Sequence, residues 1–147
     1  MSNQALYDLD FYAWANEQAA LLRDGRFSEA DMAHIAEEIE SMGKTEKREL
    51  VSRLTVLLLR LLKWQFQPSL RGNSWRNSIR VQRRDVTAHM ADNPSLKAML
   101  SQAIDHAYGT AAIEAETETG LSESTFPANC PWSFDQMMDP EFWPTGT

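Results

Sequence analysis

Five arginines lie in the fifteen residues RGNSWRNSIRVQRRD, numbered 71 to 85. A guanidinium group stays charged and presents its donors in a planar fork that fits a carboxylate or a phosphate with two hydrogen bonds. Such a run therefore indicates binding of acidic groups, either from the same chain or from a partner. The choice matters because the whole chain of 147 residues has a formal net charge of −7.

Charge is distributed unevenly along the chain. Residues 1–43 carry two basic and nine acidic side chains, residues 44–84 carry eleven basic and two acidic ones, and residues 85–147 carry one lysine and ten acids. The order is thus acidic, basic, acidic. Segments of opposite charge raise the question of nucleic-acid binding, and they equally allow the middle of the chain to pair with its ends.

A helical wheel separates the arginines from the apolar face of their segment. At 100° per residue, the stripe that faces the core consists of Trp75, Ile79, Gln82, Val86 and Met90. The shoulder beside this stripe consists of Arg76, Arg80, Arg83 and Arg84. A shoulder position faces the flank of a neighbouring helix, where an arginine stem packs on apolar surface and its fork reaches a carboxylate.

Acids of the same chain are the first partners to consider for these arginines. The available acids are Glu37, Glu38 and Glu40 on the second predicted helix and Glu114, Glu116 and Glu118 on the fourth. We expect carboxylates of the chain itself to hold most of the guanidinium groups. The candidate binding or ion-pair network consists of Glu37, Glu38, Glu40, Lys63, Trp64, Trp75, Arg76, Arg80, Arg83 and Arg84.

Nucleic-acid binding is the alternative interpretation of the arginine stripe. Trp64 and Trp75 are interleaved with the basic residues, and tryptophan rings can stack on bases. A domain that binds phosphate backbones is usually basic overall, whereas the excess acid here would repel the polymer outside the stripe. We therefore keep nucleic-acid binding as the second hypothesis.

Metal and catalytic sites are not predicted. Helical bundles can hold two metal ions on inward-facing glutamates and Glu-x-x-His pairs. The nearest candidates here are His34 with Glu37 and Glu38, and Asp85 with His89. No Glu-x-x-His pair occurs in the chain, and on the wheel His34 points away from the apolar face of its helix. We expect no metal ion and no cofactor.

The motifs of common enzyme classes are missing from the chain. It contains no G-x-S-x-G sequence, and its six glycines are scattered instead of forming a phosphate-binding loop. Cys130 is the only cysteine, which excludes a disulfide framework and a zinc site made of cysteines. We predict no catalytic residue, and enzyme activity is not expected.

Helix punctuation organises the chain around these residues. A first helix is expected after the N-cap Asp10 and ends before Gly25. A second begins after the N-cap Ser28 and covers 29–66, with a break or kink expected near Gly43 because glycine costs up to about 1 kcal/mol inside a helix. The apolar positions of its first part are Met32, Ile35, Ala36, Ile39 and Met42, and those of its second part are Leu50, Leu54, Leu57, Leu58, Leu61 and Leu62.

Two further helices and a tail complete the prediction. The arginine segment forms a helix from about 74 to 92, and the next helix runs from the N-cap Asn93 to Gly120, with Pro94 in its first turn. Residues 121–147 have at most one helical turn, from Ser133, and too many large apolar side chains for a disordered tail. The predicted fold is all-α: one domain, 1–147, that is an antiparallel up-and-down bundle of four main helices with a docked irregular C-terminal tail.

No membrane segment is expected. The best candidate, LTVLLLRLL at 54–62, is far shorter than the roughly 20 apolar residues that a bilayer requires, and Arg60 lies within it. The first ten residues lack the basic start and apolar run of a secretory signal. We expect a cytoplasmic protein.

Six ordered blocks of the sequence resemble the bacterial domain-of-unknown-function family twenty-nine, from about Tyr7 to Pro144. They are YDLDFYAWANEQAALLRDGRF, AEEIESMGKTEKREL, LLLRLLKWQFQP, SWRNSIRVQRRD, ETGL and FPANCPWSFDQMMDPEFWP. The resemblance implies an all-helical bundle of unassigned activity. It implies no catalytic or binding residue that can be carried over to this chain.

The leading hypothesis is a non-enzymatic helical interaction or regulatory domain. The partner is unknown, and a protein or a second copy in a homodimer would fit. Nucleic-acid binding through the arginine stripe on the third helix is the alternative.

Overall fold

The computed structural model describes residues 3–145, with side chains from residue 5 onward. Its α-helices are α1 (Asn3–Leu9), α2 (Phe11–Arg23), α3 (Met32–Phe66), α4 (Asn73–Asp92), α5 (Leu100–Thr119) and α6 (Phe134–Met138). Short 3₁₀ turns connect them, and no strand occurs among the described residues. The all-α prediction is confirmed, and α2 to α5 are the four long helices. No described helix has the length and apolar character that crossing a bilayer requires.

Caps explain where several helices begin and end. The Asp10 carboxylate accepts a hydrogen bond from the Ala13 backbone N–H at 3.1 Å and starts α2. Gly120 ends α5 with φ of +77°, a left-handed conformation that glycine adopts without steric cost. Ser133 and Gln136 form a reciprocal capping box at the start of α6, where the sequence predicted a single turn.

One unpredicted helix and two shifted helix starts distinguish the structure from the prediction. Helix α1 was not predicted. Ser28 lies inside a 3₁₀ turn, and Asp31 starts α3 instead, with its carboxylate 3.3 Å from the His34 backbone N–H. The segment after Asn93 forms a 3₁₀ turn, Pro94–Met99, before α5 begins at Leu100. Helix signals are weakest at such ends, where several capping residues compete.

The expected break near Gly43 is wrong, because α3 is one helix of 35 residues. Gly43 is exposed and has ordinary helical geometry. A glycine costs only up to about 1 kcal/mol inside a helix, whereas ending one helix and nucleating another costs more. No proline lies within 32–66 to force a stop.

The chain divides into two compact units, Met1–Thr45 and Glu46–Thr147. The first unit contains α1, α2 and the beginning of α3, and its core is thin. Trp14 is buried, with its ring 4.8 Å from that of Tyr7, and its indole N–H donates to Asp31 at 3.2 Å. The predicted apolar face of 29–42 is wrong, because Met32, Ile39 and Met42 are exposed in the structure.

The second unit holds the main hydrophobic core. All six leucines predicted for the second part of α3 are fully buried, and they pack with Ile79 and Val86 of α4. Helix α5 contributes mainly alanines, Ala103, Ala107, Ala111 and Ala115. Phe126, Trp132 and Met137 of the C-terminal segment are buried in the same core, which confirms the docked tail.

Side-chain contacts give the helix directions in the second unit. Glu46 lies near His89, Arg53 near Asp85, and Lys63 over Trp75, so α3 and α4 are antiparallel. Lys63 also contacts Glu118 near the end of α5, so α5 runs opposite to α4. This unit therefore has the predicted up-and-down order.

Candidate functional site

Arg83 of α4 is buried against the C-terminal segment. Arg83 is only 5% exposed. Its Nε donates to the backbone carbonyl of Met137 and its Nη2 to that of Phe142, each at 2.6 Å. The guanidinium carbon also lies 5.1 Å from the centre of the Trp143 ring. Burial lowers the pKa of Arg83, although Asp139 acts in the opposite direction.

The local structure of the tail explains these contacts. Met137 is in the last turn of α6, where helix carbonyls have no partner within the helix. Phe142 follows a turn closed by its own N–H and the Asp139 carbonyl at 3.0 Å. Arg83 thus donates to one carbonyl at the end of α6 and to another in the segment after it, and it couples α4 to the tail.

Two more arginines contact the aromatic residues beside Arg83. Arg71 donates to the Trp64 carbonyl at 2.6 Å and lies 5.3 Å from the Trp64 ring. Arg76 lies 5.3 Å from the Trp143 ring, which itself packs 4.8 Å from Trp64. These arginines therefore bind carbonyls and ring faces.

The expected ion pairs of the arginine stripe are wrong. Within residues 5–145, no carboxylate lies within 4.0 Å of the guanidinium groups of Arg76, Arg80, Arg83 and Arg84. Of the predicted acids, Glu118 contacts Lys63, with Nζ to Oε1 at 3.3 Å. The arginines contact carbonyls and aromatic rings where carboxylates were expected. The reason is that the tail, and not an acidic helix, packs against this side of α4.

An open groove lies between α4 and the tail. Its volume is about 600 Å³, and its lining consists of Asn77, Arg80, Val81, Arg83, Arg84, Thr87 and Pro140. Arg80 is held by the Asn77 side chain at 3.2 Å. Arg84 makes no hydrogen bond or ion pair with any described residue, and the buried Nη1 of Arg83 has no hydrogen-bond partner there. The lining of the groove thus combines three arginines with the apolar side chains of Val81 and Pro140.

The predicted acids of the second helix lie in the first unit. Glu38 accepts a short hydrogen bond from the Tyr7 hydroxyl, which raises the pKa of Tyr7 to about 12. Glu37 and Glu40 are exposed. His34, which the wheel placed on the outer face, stacks on the Tyr7 ring at 3.9 Å between centres and bonds to Asp31 Oδ2 at 2.7 Å.

Lys63, Trp64 and Trp75 form part of the core of the second unit instead of a stacking platform. Trp64 is 6% exposed, and Lys63 is buried with its ammonium 4.9 Å from the Trp75 ring. Trp64 is thus covered, and the half-buried Trp75 ring has the Lys63 ammonium over one face.

A polar cluster that the sequence did not predict lies at the other end of α4. His89 is 7% exposed, and its Nε2 is 2.8 Å from the Glu46 carbonyl oxygen. Its Nδ1 faces Glu49 Oε2 at 3.7 Å and Glu46 Oε2 at 3.8 Å. Asp85, which the sequence paired with His89, instead accepts from Arg53 at 3.3 Å. In the sequence, the i, i+3 spacing of Glu46 and Glu49 on one helix was the feature that could have indicated this cluster. The packing of α3 on α4 is what brings His89 to these two residues.

A family model described as "Domain of unknown function DUF29" matches residues 6–143, nearly the whole chain. Comparison with the curated proteins and with the solved structures gives no match.

Proposed function

The chain belongs to the DUF29 family, and on that premise we propose that it is a non-enzymatic interaction domain whose groove on α4 binds an acidic segment of a protein partner. The observation that carries the proposal is the absence of any carboxylate, among the described residues, on the guanidinium groups that line this groove. In a chain of net charge −7, arginines without acidic partners are available to acids from outside.

The lining of the groove supports a protein segment as the ligand. Arg80 and Arg84 supply charge at its edge, while Val81 and Pro140 supply apolar surface. A segment that combines carboxylates with an aliphatic side chain would use both. Exposed ion pairs contribute only about 0.2–1 kcal/mol each, so the apolar contact adds affinity that charge alone does not provide.

Nucleic acid is the less favoured ligand for the same groove. Of the two tryptophans that would stack on bases, Trp64 is buried with Arg71 and Arg76 beside its ring, and Trp75 is half-buried with Lys63 over its ring. Base stacking is a main source of affinity for single strands, and the remaining acidic surface would repel a long polyanion.

The first unit supports an interaction role through a different surface. Among residues 5–45, seven large apolar side chains are exposed: Leu9, Phe11, Tyr12, Phe27, Met32, Ile39 and Met42. Large contiguous patches of such side chains mark protein contact surfaces, so these residues are the candidates for a second contact. A second copy of the chain could also cover these apolar side chains. Light scattering of the full chain distinguishes such a homodimer from a monomer.

We propose that the protein is located in the bacterial cytoplasm. Cys130 is its only cysteine, and burial raises the pKa of this thiol. A chain without disulfides is typical of a reducing compartment.

Fluorescence anisotropy tests the groove. A labelled peptide of alternating glutamate and leucine is expected to bind the full chain, and an uncharged glutamine and leucine peptide of the same length is not. Reversing two charges with Arg80→Glu and Arg84→Glu should weaken binding at least about tenfold, because two attractive contacts become repulsive.

The control reverses two exposed charges elsewhere, with Arg48→Glu and Lys97→Glu. This variant has the same net charge, and its affinity for the acidic peptide should stay within about threefold of the parent, since screening limits distant charges. Equal loss in both double variants, or no binding of the peptide, contradicts the proposal. Tighter binding of a labelled single-stranded oligonucleotide, lost in the groove variant alone, would favour nucleic acid instead.

A further inference from the structure

We propose that Glu46, Glu49 and His89 form a binding site for one divalent transition-metal ion of the Zn²⁺ type. The site lies between the middle of α3 and the end of α4, apart from the groove, and the inference is independent of the proposed function. One ligand atom from each of the three residues lies within 4.8 Å of the others.

The imidazole of His89 is oriented as in a metal ligand. A backbone carbonyl can only accept a hydrogen bond, so the 2.8 Å contact between Nε2 and the Glu46 oxygen assigns the ring proton to Nε2. Nδ1 of the neutral ring then carries a free lone pair. Metal-bound histidines are commonly fixed in this way, with the second nitrogen donating to a carbonyl or a carboxylate.

Nδ1 and the two carboxylates converge without bonding to one another. The Nδ1 atom is 3.7 Å from Glu49 Oε2 and 3.8 Å from Glu46 Oε2, too far for hydrogen bonds. Two ligand atoms that share a tetrahedral Zn²⁺ ion lie about 3.4 Å apart, given bond lengths near 2.1 Å. The two distances from Nδ1 to the carboxylate oxygens therefore need to contract by only a few tenths of an ångström around an ion.

Neighbouring side chains hold the two carboxylates in place. Arg53 donates to Glu49 Oε1 at 2.7 Å and 3.1 Å, which leaves Oε2 directed toward His89. Arg53 also reaches Asp85 at 3.3 Å, and Asn93 donates to Glu46 Oε2 at 3.5 Å. Contacts of this kind, one layer away from an ion, orient its ligands.

The charge and volume of the cavity suit a hydrated cation. The cavity measures about 390 Å³, and its lining includes the acids Glu46, Glu49, Asp85 and Asp92 against the single cation Arg53. Water can complete the coordination, since three protein ligands leave at least one position open. One imidazole with two carboxylates suits Zn²⁺ and its first-row neighbours, whereas Ca²⁺ and Mg²⁺ prefer oxygen ligands alone.

Isothermal titration of the full chain, purified with chelator and then freed of it, tests the site. Zn²⁺ is expected to bind with one ion per chain, and Co²⁺ is expected to give visible absorption bands that report a nitrogen and oxygen ligand set. Ca²⁺ under the same conditions should bind at least about 100-fold more weakly. Zn²⁺ should also raise the melting temperature, because an ion that binds only the folded chain stabilises it.

Matched carboxamide variants locate the ion. Glu49→Gln and Glu46→Gln keep the side-chain shape, and each should weaken Zn²⁺ binding at least about tenfold and change the Co²⁺ spectrum. Asp92→Asn removes an acid from the same cavity but no ligand, and His106→Gln removes an exposed histidine elsewhere, so both should stay within about threefold of the parent.

Four outcomes would overturn the assignment. They are no Zn²⁺ binding, unchanged affinity in Glu49→Gln, equal losses in Asp92→Asn and Glu49→Gln, and Ca²⁺ binding as tight as that of Zn²⁺. The last two would show a general acidic cavity without an imidazole ligand. Circular dichroism of Glu49→Gln without metal verifies that this variant is folded. A loss of Zn²⁺ binding in folded protein then reports the loss of a ligand and not of the fold.

Discussion

Burial of the Arg83 guanidinium is offset by the carbonyls of Met137 and Phe142 and by the Trp143 ring. A buried charge is costly unless hydrogen bonds replace its water, and hydrogen bonds to charged groups contribute about 1.5–3 kcal/mol each. Arg83 therefore stabilises the folded tail more than any exposed arginine of α4 does.

Replacing this arginine should release the tail. Arg83→Ala is expected to lower the free energy of unfolding by about 2–4 kcal/mol, since two carbonyls lose their donor and a cavity remains. Urea titration followed by tryptophan fluorescence measures the loss. Arg84→Ala, one position further and exposed, should change it by no more than about 0.5 kcal/mol. Similar losses in both variants would contradict the role of Arg83.

His34 and Asp31 form the second residue-scale feature, a pH-sensitive pair in the first unit. The hydrogen bond that His34 donates to the Asp31 carboxylate raises the pKa of His34 above its ordinary 6.5, although partial burial acts in the opposite direction. Burial alone would raise the pKa of Asp31, but hydrogen bonds from His34 and Trp14 outweigh it and lower that pKa below 3.8.

The pair should stabilise the first unit over a defined pH range. A raised histidine pKa contributes stability that is fully present below pH 6.5 and is lost as the pH rises through the folded-state pKa. The lowered Asp31 pKa contributes above pH 3.8, and this part is lost on acidification. NMR titration should give His34 a pKa above 6.5 that falls in Asp31→Asn. Asp24→Asn, at the exposed end of α2, should leave it unchanged, and an equal fall there would contradict the pairing.

Continuity of α3 through Gly43 is the main element-scale result. The position is exposed and helical, and an added Cβ would meet no atom within 4 Å. A residue with these properties keeps the helix going at a small cost in backbone entropy.

Substitution at Gly43 therefore has a predicted sign. Gly43→Ala should raise the free energy of unfolding by about 0.5–1 kcal/mol, because alanine restricts the unfolded chain and fits the helix. Gly43→Pro should lower it by about 3 kcal/mol or more, because proline removes a helical hydrogen bond and clashes with the preceding turn. Thermal unfolding by circular dichroism measures both. Destabilisation by alanine would show a left-handed break at this position.

Core content differs between the two units at the scale of the whole molecule. The second unit buries six leucines of α3 completely, whereas in the first unit the described buried residues are Trp14 and Gln18. Regions with few buried apolar contacts open at lower free energy than the core.

Hydrogen exchange should reveal this difference. Backbone amides of α2 are expected to exchange at least about 100-fold faster than those of residues 54–62, which corresponds to a difference of about 3 kcal/mol in opening free energy. Mass spectrometry of the exchanged full chain, read by peptide, measures it. Equal protection in both regions would contradict the thin core of the first unit. Strong protection of α2 that appears only at high protein concentration would indicate self-association through its exposed apolar side chains.

The sequence alone determined the helical class, the buried leucine face of α3 and the docked tail, because these depend on local periodicity, caps and the number of large apolar groups. These features depend on residues within a few turns of each other, so a wheel and a count were sufficient.

Only the tertiary structure decided what those side chains contact. Arg83 binds tail carbonyls 54 residues or more away, and His89 meets Glu46 and Glu49 across two helices. The exposure of Ile39 and Met42 also depended on which elements cover that part of α3. A periodic pattern shows which face of a helix is apolar, but the partner of that face is set by packing between distant segments, and no local pattern encodes it.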